Sequence, residues 1–215
     1  MVLTILYKLS NIRHQIKARF IEKKTISYFR LGGAQFEDLS TVRMNGKCLI
    51  SVSRLSEVKI GRGFIINSGG GYSIDNQAYT IINIAPGAVF HVGQESGLSN
   101  TAIQCFERIE IGSHVNIGAG CLIMDSDFHS TCWDDRKDRK KDISNAKKAP
   151  VIIGDYVLIG ARSIICKGVT IGPRTIIAAG SVVVKDIPAD CLAGGNPCKV
   201  IRNNVKNSLD SGIVK

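Results

Sequence analysis

Residues 153–187 read IGDYVLIGARSIICKGVTIGPRTIIAAGSVVVKDI. An aliphatic residue returns at every sixth position: Ile153, Ile159, Ile165, Ile171, Ile177 and Val183. Glycine follows at Gly154, Gly160 and Gly172. A small or β-branched residue stands four places beyond each aliphatic one, at Val157, Ser163, Val169, Thr175, Ser181 and Ile187. A period of six fits neither the 3.6-residue stripe of an amphipathic helix nor the alternation of a half-buried strand. It fits a short strand, a turn and another short strand. Three such units close a triangular coil, and successive coils stack through parallel hydrogen bonds about 4.8 Å apart. The aliphatic residues then fill a narrow prism and the small ones the crowded corners. The glycines are expected to supply corner dihedrals closed to other residues. Each repeat touches mainly its neighbours, so the expected fold is an all-β solenoid.

The register extends upstream at Ile111-Gly112, Ile117-Gly118 and Ile123, with weaker copies at Ile60-Gly61, Ile66 and Ile84-Ala85. It breaks between Ile123 and Ile153, where MDSDFHSTCWDDRKDRKKDISNAKKAPVI carries dense charge and no aliphatic period. Insertions this long in a compact fold are usually functional or disordered. The chain therefore divides into a basic, partly helical extension (1–40), a solenoid (41–198) with its loop insertion at 124–152, and a basic tail (199–215).

A chain of 215 residues supports one sizeable core, and 44% hydrophobic with 21% charged residues is the balance of a soluble globular protein. The seven cysteines form no CxxC pair, which argues against a disulfide framework or a cysteine metal site and suits a reducing cytoplasm. Val2–Leu6 is too short an apolar run for a signal peptide, and no stretch approaches a membrane span. Of the formal charge of +10, residues 1–30 contribute +6, from seven cations against Glu22. Apolar positions Leu6, Leu9, Ile12, Ile16 and Phe20 lie at roughly helical spacing in the same segment. Residues 1–30 are thus expected to touch an anionic membrane surface at the cytoplasmic face, with a lid over the first coil as the structural alternative. Basic residues confined to an end segment and a loop, without interleaved aromatics, argue against nucleic acid.

The stretch 153–202, with KDIPADCLAGGNPCKVI at 185–201 and MDSDFH at 124–129 before the last coils, resembles the hexapeptide-repeat acyltransferases. The likeness is to the galactoside and maltose O-acetyltransferase group and to enzymes that acetylate capsule and O-antigen sugars. It covers roughly residues 60–202. It implies a left-handed parallel β-helix, a homotrimer, acetyl-CoA as acyl donor, a sugar hydroxyl as acceptor and no metal. His129 would be the general base, a role that imidazole suits because it exchanges protons near neutrality. Asp127, two residues earlier, is a candidate to orient it. Asn100 and Trp133 are candidates to bind the acceptor. The donor would lie along the C-terminal coils at Gly160, Ala161, Ala179 and Gly180, with a backbone N–H near Ala161 as oxyanion donor. Lys185, Lys199 and Arg202 would face the phosphates of coenzyme A.

Two other readings stay open at this point. The same base and donor site would serve N-acetylation of an amino sugar, and a basic solenoid would also serve as a non-catalytic scaffold. A three-histidine metal hydratase is disfavoured, because His91, His114 and His129 form no short HxxxxH pair.

Overall fold

The computed structural model describes residues 16, 19–69, 71 and 79–203. Residues 1–15, which hold Leu6, Leu9 and Ile12, lie outside that set. The strands stack into three parallel sheets that form the walls of a left-handed β-helix. The first sheet runs through Gln35–Phe36, Glu57–Ile60, Val89–Val92, Arg108–Ile111, Val151–Ile153 and Thr170–Ile171. The second takes Arg43–Asn45, Ile65–Asn67, Gly97–Ser99, Asn116–Ile117, Leu158–Ile159, Ile176–Ile177, Cys191–Gly194 and Lys199–Asn203. The third takes Cys48–Val52, Thr80–Ile84, Ala102–Cys105, Leu122–Met124, Ile164–Ile165 and Val182–Val183.

The six-residue period produces this register directly. Ile153 pairs with Ile171, Ile159 with Ile177 and Ile165 with Val183, an 18-residue step on every wall. Ile111, Ile117 and Ile123 sit beneath Ile153, Ile159 and Ile165, so the inserted loop leaves the column undisturbed. These side chains are at most 4% exposed and fill the prism. Burial of each contributes about 1.5–3 kcal/mol.

The recurrent glycines have a different cause from the one expected. Gly154, Gly160 and Gly172 keep ordinary dihedrals, and the left-handed corner residues are Tyr156, Arg162 and Arg174 (φ 59°, 61° and 57°). What excludes a side chain is the next coil. A Cβ on Gly160 would stand 2.4 Å from the Ala179 nitrogen, and one on Gly172 would stand 2.3 Å from the Ala189 nitrogen. Gly160→Ala is therefore expected to cost about 1–3 kcal/mol by overpacking, lowering the thermal midpoint by several degrees. An unchanged midpoint in a melting scan would show that the coils separate freely at this corner.

Both ends of the solenoid reach further than the sequence indicated. The first strand, Gln35–Phe36, lies inside the segment assigned to the extension, and Lys199–Asn203 forms a strand antiparallel to Cys191–Gly194 rather than a free tail. A helix over 19–31, here α1, closes the N-terminal end of the prism. Its Phe29 is fully buried and meets Phe36 edge-to-face at 6.4 Å. Glu22 accepts the backbone N–H of Met44 at 3.3 Å, and Gly33 ends the helix in a left-handed conformation at φ 85°. Helix α1 covers the first coil, while Ile16 and Phe20 of the expected apolar stripe remain 65% and 69% exposed. Among the described residues no helix is long and apolar enough to cross a membrane.

Candidate active site

The inserted loop leaves the third sheet after Met124 and returns to the first at Val151. It is pinned at the edge where these two sheets meet. The buried Asp125 accepts three backbone N–H groups of the preceding coil, from Phe106, Glu107 and Arg108, at 2.7–2.8 Å. Phe128 takes a left-handed conformation (φ 62°) and packs edge-to-face on Phe106 at 5.4 Å. The next residue, His129, is thereby turned outward with its side chain 68% exposed.

Its orientation is set from further along the loop. A short helix, α2 (Arg139–Ser144), is capped by Asp138, whose carboxylate accepts the N–H groups of Lys140 and Lys141. This helix carries Asp142. The His129 Nδ1 lies 2.6 Å from Asp142 Oδ2, while Asp142 Oδ1 accepts the Ser130 N–H at 2.8 Å. The hydrogen bond from His129, helped by the Ser130 N–H, holds the Asp142 carboxyl below its ordinary value against the opposing effect of burial. A carboxylate at Nδ1 places the proton there and leaves the Nε2 lone pair facing solvent. Nε2 has no protein partner among the described residues. The loop is further braced at Ser130, which bonds Asp135 through its hydroxyl and Arg136 through its carbonyl, both at 2.7 Å.

Asp127 does not orient the imidazole. It faces Lys167 at 3.3 Å, and the carboxylate on His129 is that of Asp142. Sequence reading missed Asp142 because it stands thirteen positions beyond the histidine; its one local signal was the capping aspartate ahead of RKKDIS. Nor does Asn100 present its amide to solvent. It is fully buried with φ 38°, accepting the Gly69 N–H at 2.8 Å and donating to the Gly69 carbonyl at 3.1 Å. Trp133 is 66% exposed on the same loop as His129, with the Lys137 ammonium 4.4 Å from its ring centroid.

The expected donor residues form one stacked corner between the second and third sheets. Gly160 and Ala161 follow the strand Leu158–Ile159, Ala179 and Gly180 lie beside the same corner one coil on, and Gly180 donates to the Ala161 carbonyl at 2.8 Å. The Ala161 N–H has no acceptor among the described residues. Lys185 is exposed just beyond the last strand of the third sheet, and Lys199 and Arg202 are exposed on the final antiparallel strand. Within one chain the structure does not bring this corner to His129. The corner and the inserted loop flank the third sheet from opposite edges.

Residues 150–185 match the family model described as bacterial transferase hexapeptide (six repeats). Together with three parallel walls in 18-residue register, that match decides the class. The chain is a left-handed β-helix that carries the hexapeptide repeat.

Among relatives of this hexapeptide-repeat protein, a 2,3,4,5-tetrahydropyridine-2,6-dicarboxylate N-acetyltransferase of Staphylococcus aureus is 37% identical over 91 residues, which are 42% of this chain and 31% of that protein. A hexapeptide-repeat acetyltransferase of Vibrio cholerae, solved with acetyl coenzyme A, is 32% identical at a TM-score of 0.50, over 54% of this chain and 61% of that one. An N-acyltransferase of Bacillus cereus, solved with dTDP and coenzyme A, has a TM-score of 0.61 over 80% of this chain and 83% of its own, at 21% identity, a likeness of fold. The chain spans about a third or less of the length of the curated relatives it matches, 27–31% for those compared.

Proposed function

We propose that this hexapeptide-repeat protein is an acetyltransferase that moves acetyl from acetyl-CoA to a sugar hydroxyl, in a surface polysaccharide or its precursor. The observation that carries the reading is the outward-facing His129, held through Nδ1 by Asp142 in the inserted loop. The similarity to the Vibrio cholerae acetyltransferase solved with acetyl coenzyme A supports the donor. As the acceptor oxygen attacks the thioester carbonyl, Nε2 takes its proton and a C–O bond forms. The tetrahedral intermediate then collapses with loss of the C–S bond, and His129 returns the proton to the departing thiolate. No acyl-enzyme is needed. The Ala161 N–H is the proposed donor to the developing oxyanion.

The opposed edges of the third sheet argue for assembly, because a neighbouring copy can bring its loop to the donor corner of this one. A homotrimer closes three such clefts by one operation. Light scattering is expected to show a trimer, and an active monodisperse monomer would contradict it. Lys185, Lys199 and Arg202 are the proposed contacts to the coenzyme A phosphates, and Trp133 is the proposed platform for the acceptor. Lys199→Ala and Arg202→Ala are each expected to raise the KM for acetyl-CoA several-fold with little change in kcat. An unaltered KM in the double variant would remove both from the donor site. Screening nucleotide sugars and lipid-linked saccharides with acetyl-CoA, following free thiol, tests the activity itself. Thiol release with no acceptor in the screen would exclude it.

A further inference from the structure

The active site occupies the edge of the third sheet, yet a second concavity lies on that sheet at the other end of the solenoid. Helix α1 leans over its first two strands and leaves a groove of about 520 Å³, large enough for an organic ligand. Its apolar surface comes from Phe20, Ile21 and Tyr28 of the helix and from Leu49, Ile50 and Ile81 of the sheet. The exposure is unusual: Phe20 is 69%, Leu49 45% and Tyr28 41% open to solvent. The charge is one-sided. Lys24 and Lys47 line the groove, no carboxylate does, and neither lysine is in an ion pair among the described residues.

An apolar trough flanked by two cations without a carboxylate partner among the described residues, Lys47 lying over the Tyr79 ring at 5.0 Å, complements a molecule with a hydrocarbon chain and an anionic head. We infer that this groove binds the chain of a single phosphate-headed lipid, with Lys24 and Lys47 on the phosphate. The sheet suggests what such binding achieves. Leu49, Ile81, Ala102 and Leu122 are successive partners along its outer face, and the loop bearing His129 leaves this last strand. Two rungs, about 10 Å, separate the groove from that strand. A saccharide carried on the bound lipid phosphate would therefore reach the catalytic loop while its anchor stayed in the groove. This role rests on the acetyl-transfer reading, whereas the binding itself does not.

Calorimetric titration of the full chain without acetyl-CoA tests the binding, using octyl, decyl and dodecyl phosphate below their micellar concentrations. Affinity is expected to rise about fourfold per methylene until the groove is filled. Leu49→Glu and Phe20→Glu, both at exposed positions, are expected to abolish binding while the melting temperature is kept. Lys24→Glu/Lys47→Glu is expected to weaken the phosphates at least tenfold and to leave dodecyl maltoside unchanged. Absent binding, equal binding by all variants, or binding to anionic vesicles alone would overturn the site. If Leu49→Glu also raises the KM for a lipid-linked saccharide and not for the free saccharide, the groove anchors the acceptor. Equal effects on both acceptors would refute that role and leave the lipid site standing.

Discussion

His129→Ala is expected to lower kcat by about 10²–10⁴, the usual contribution of a general base. A sugar hydroxyl is far too weak an acid to ionise at neutral pH, whereas the thioester is already a competent electrophile. Proton removal is thus the step that most needs the protein. The side chain is 68% exposed and carries little core packing, so the melting temperature and the affinity for acetyl-CoA should stay near those of the parent protein. A histidine that merely held the loop would give the opposite pattern, lost stability with activity falling only as the folded fraction falls. Retention of more than about a tenth of kcat would place the base elsewhere. Nor does His91 stand as an equal rival, since it is engaged by Glu57 at 3.1 Å on the first sheet, away from the loop.

The second large effect belongs to Asp142. Asp142→Asn keeps the shape and removes the charge that fixes the Nδ1–H tautomer, and supporting partners of this kind are worth about 10–100-fold. The loss should fall on kcat, with KM for acetyl-CoA unchanged, because Asp142 acts through the imidazole. Its ionisation is secure in the working range. The folded carboxyl titrates below its ordinary value. Its contribution is therefore complete above the ordinary carboxylate range and disappears only as pH falls through the lowered folded value. Asp142 should therefore cause no loss of activity until pH falls below the ordinary carboxylate range. Asp127→Asn, by comparison, breaks a partly exposed pair with Lys167 and should have a small effect. Equal losses in the two variants would contradict the assignment of Asp142.

The walls of the fold were legible because a period of six leaves one solution for Ile153, Ile159 and Ile165: each must face the prism and stack on a residue 18 positions away. The earlier coils were less regular for a visible reason. Ile60 and Ile66 pair 32 positions on, with Val92 and Leu98, so the coil between them is swollen and the simple count fails. Position in the charged insertion at 124–152, together with the MDSDFH match, singled out His129. Its partner was invisible, because α2 forms inside a segment without apolar periodicity and its packing, not its pattern, brings Asp142 back. Asn100 shows the converse. An asparagine at a plausible interval before the base is consumed by a left-handed corner, a conformation that asparagine tolerates and that its amide then clamps to Gly69. The glycines were found correctly and explained wrongly, since single-sequence patterning says nothing about how closely the next coil approaches.

Hydrolysis of the transferred group tests the central claim most directly. The protein is incubated with acetyl-CoA and a saccharide acceptor offering both hydroxyl and amino groups, and the acetylated product is exposed to mild base. Transfer to oxygen predicts one free thiol per product and an acetyl group lost quantitatively in base, with both signals collapsing in the His129→Ala protein. A base-stable product would make the chain an N-acetyltransferase, and a base-labile product formed equally well without His129 would contradict the mechanism.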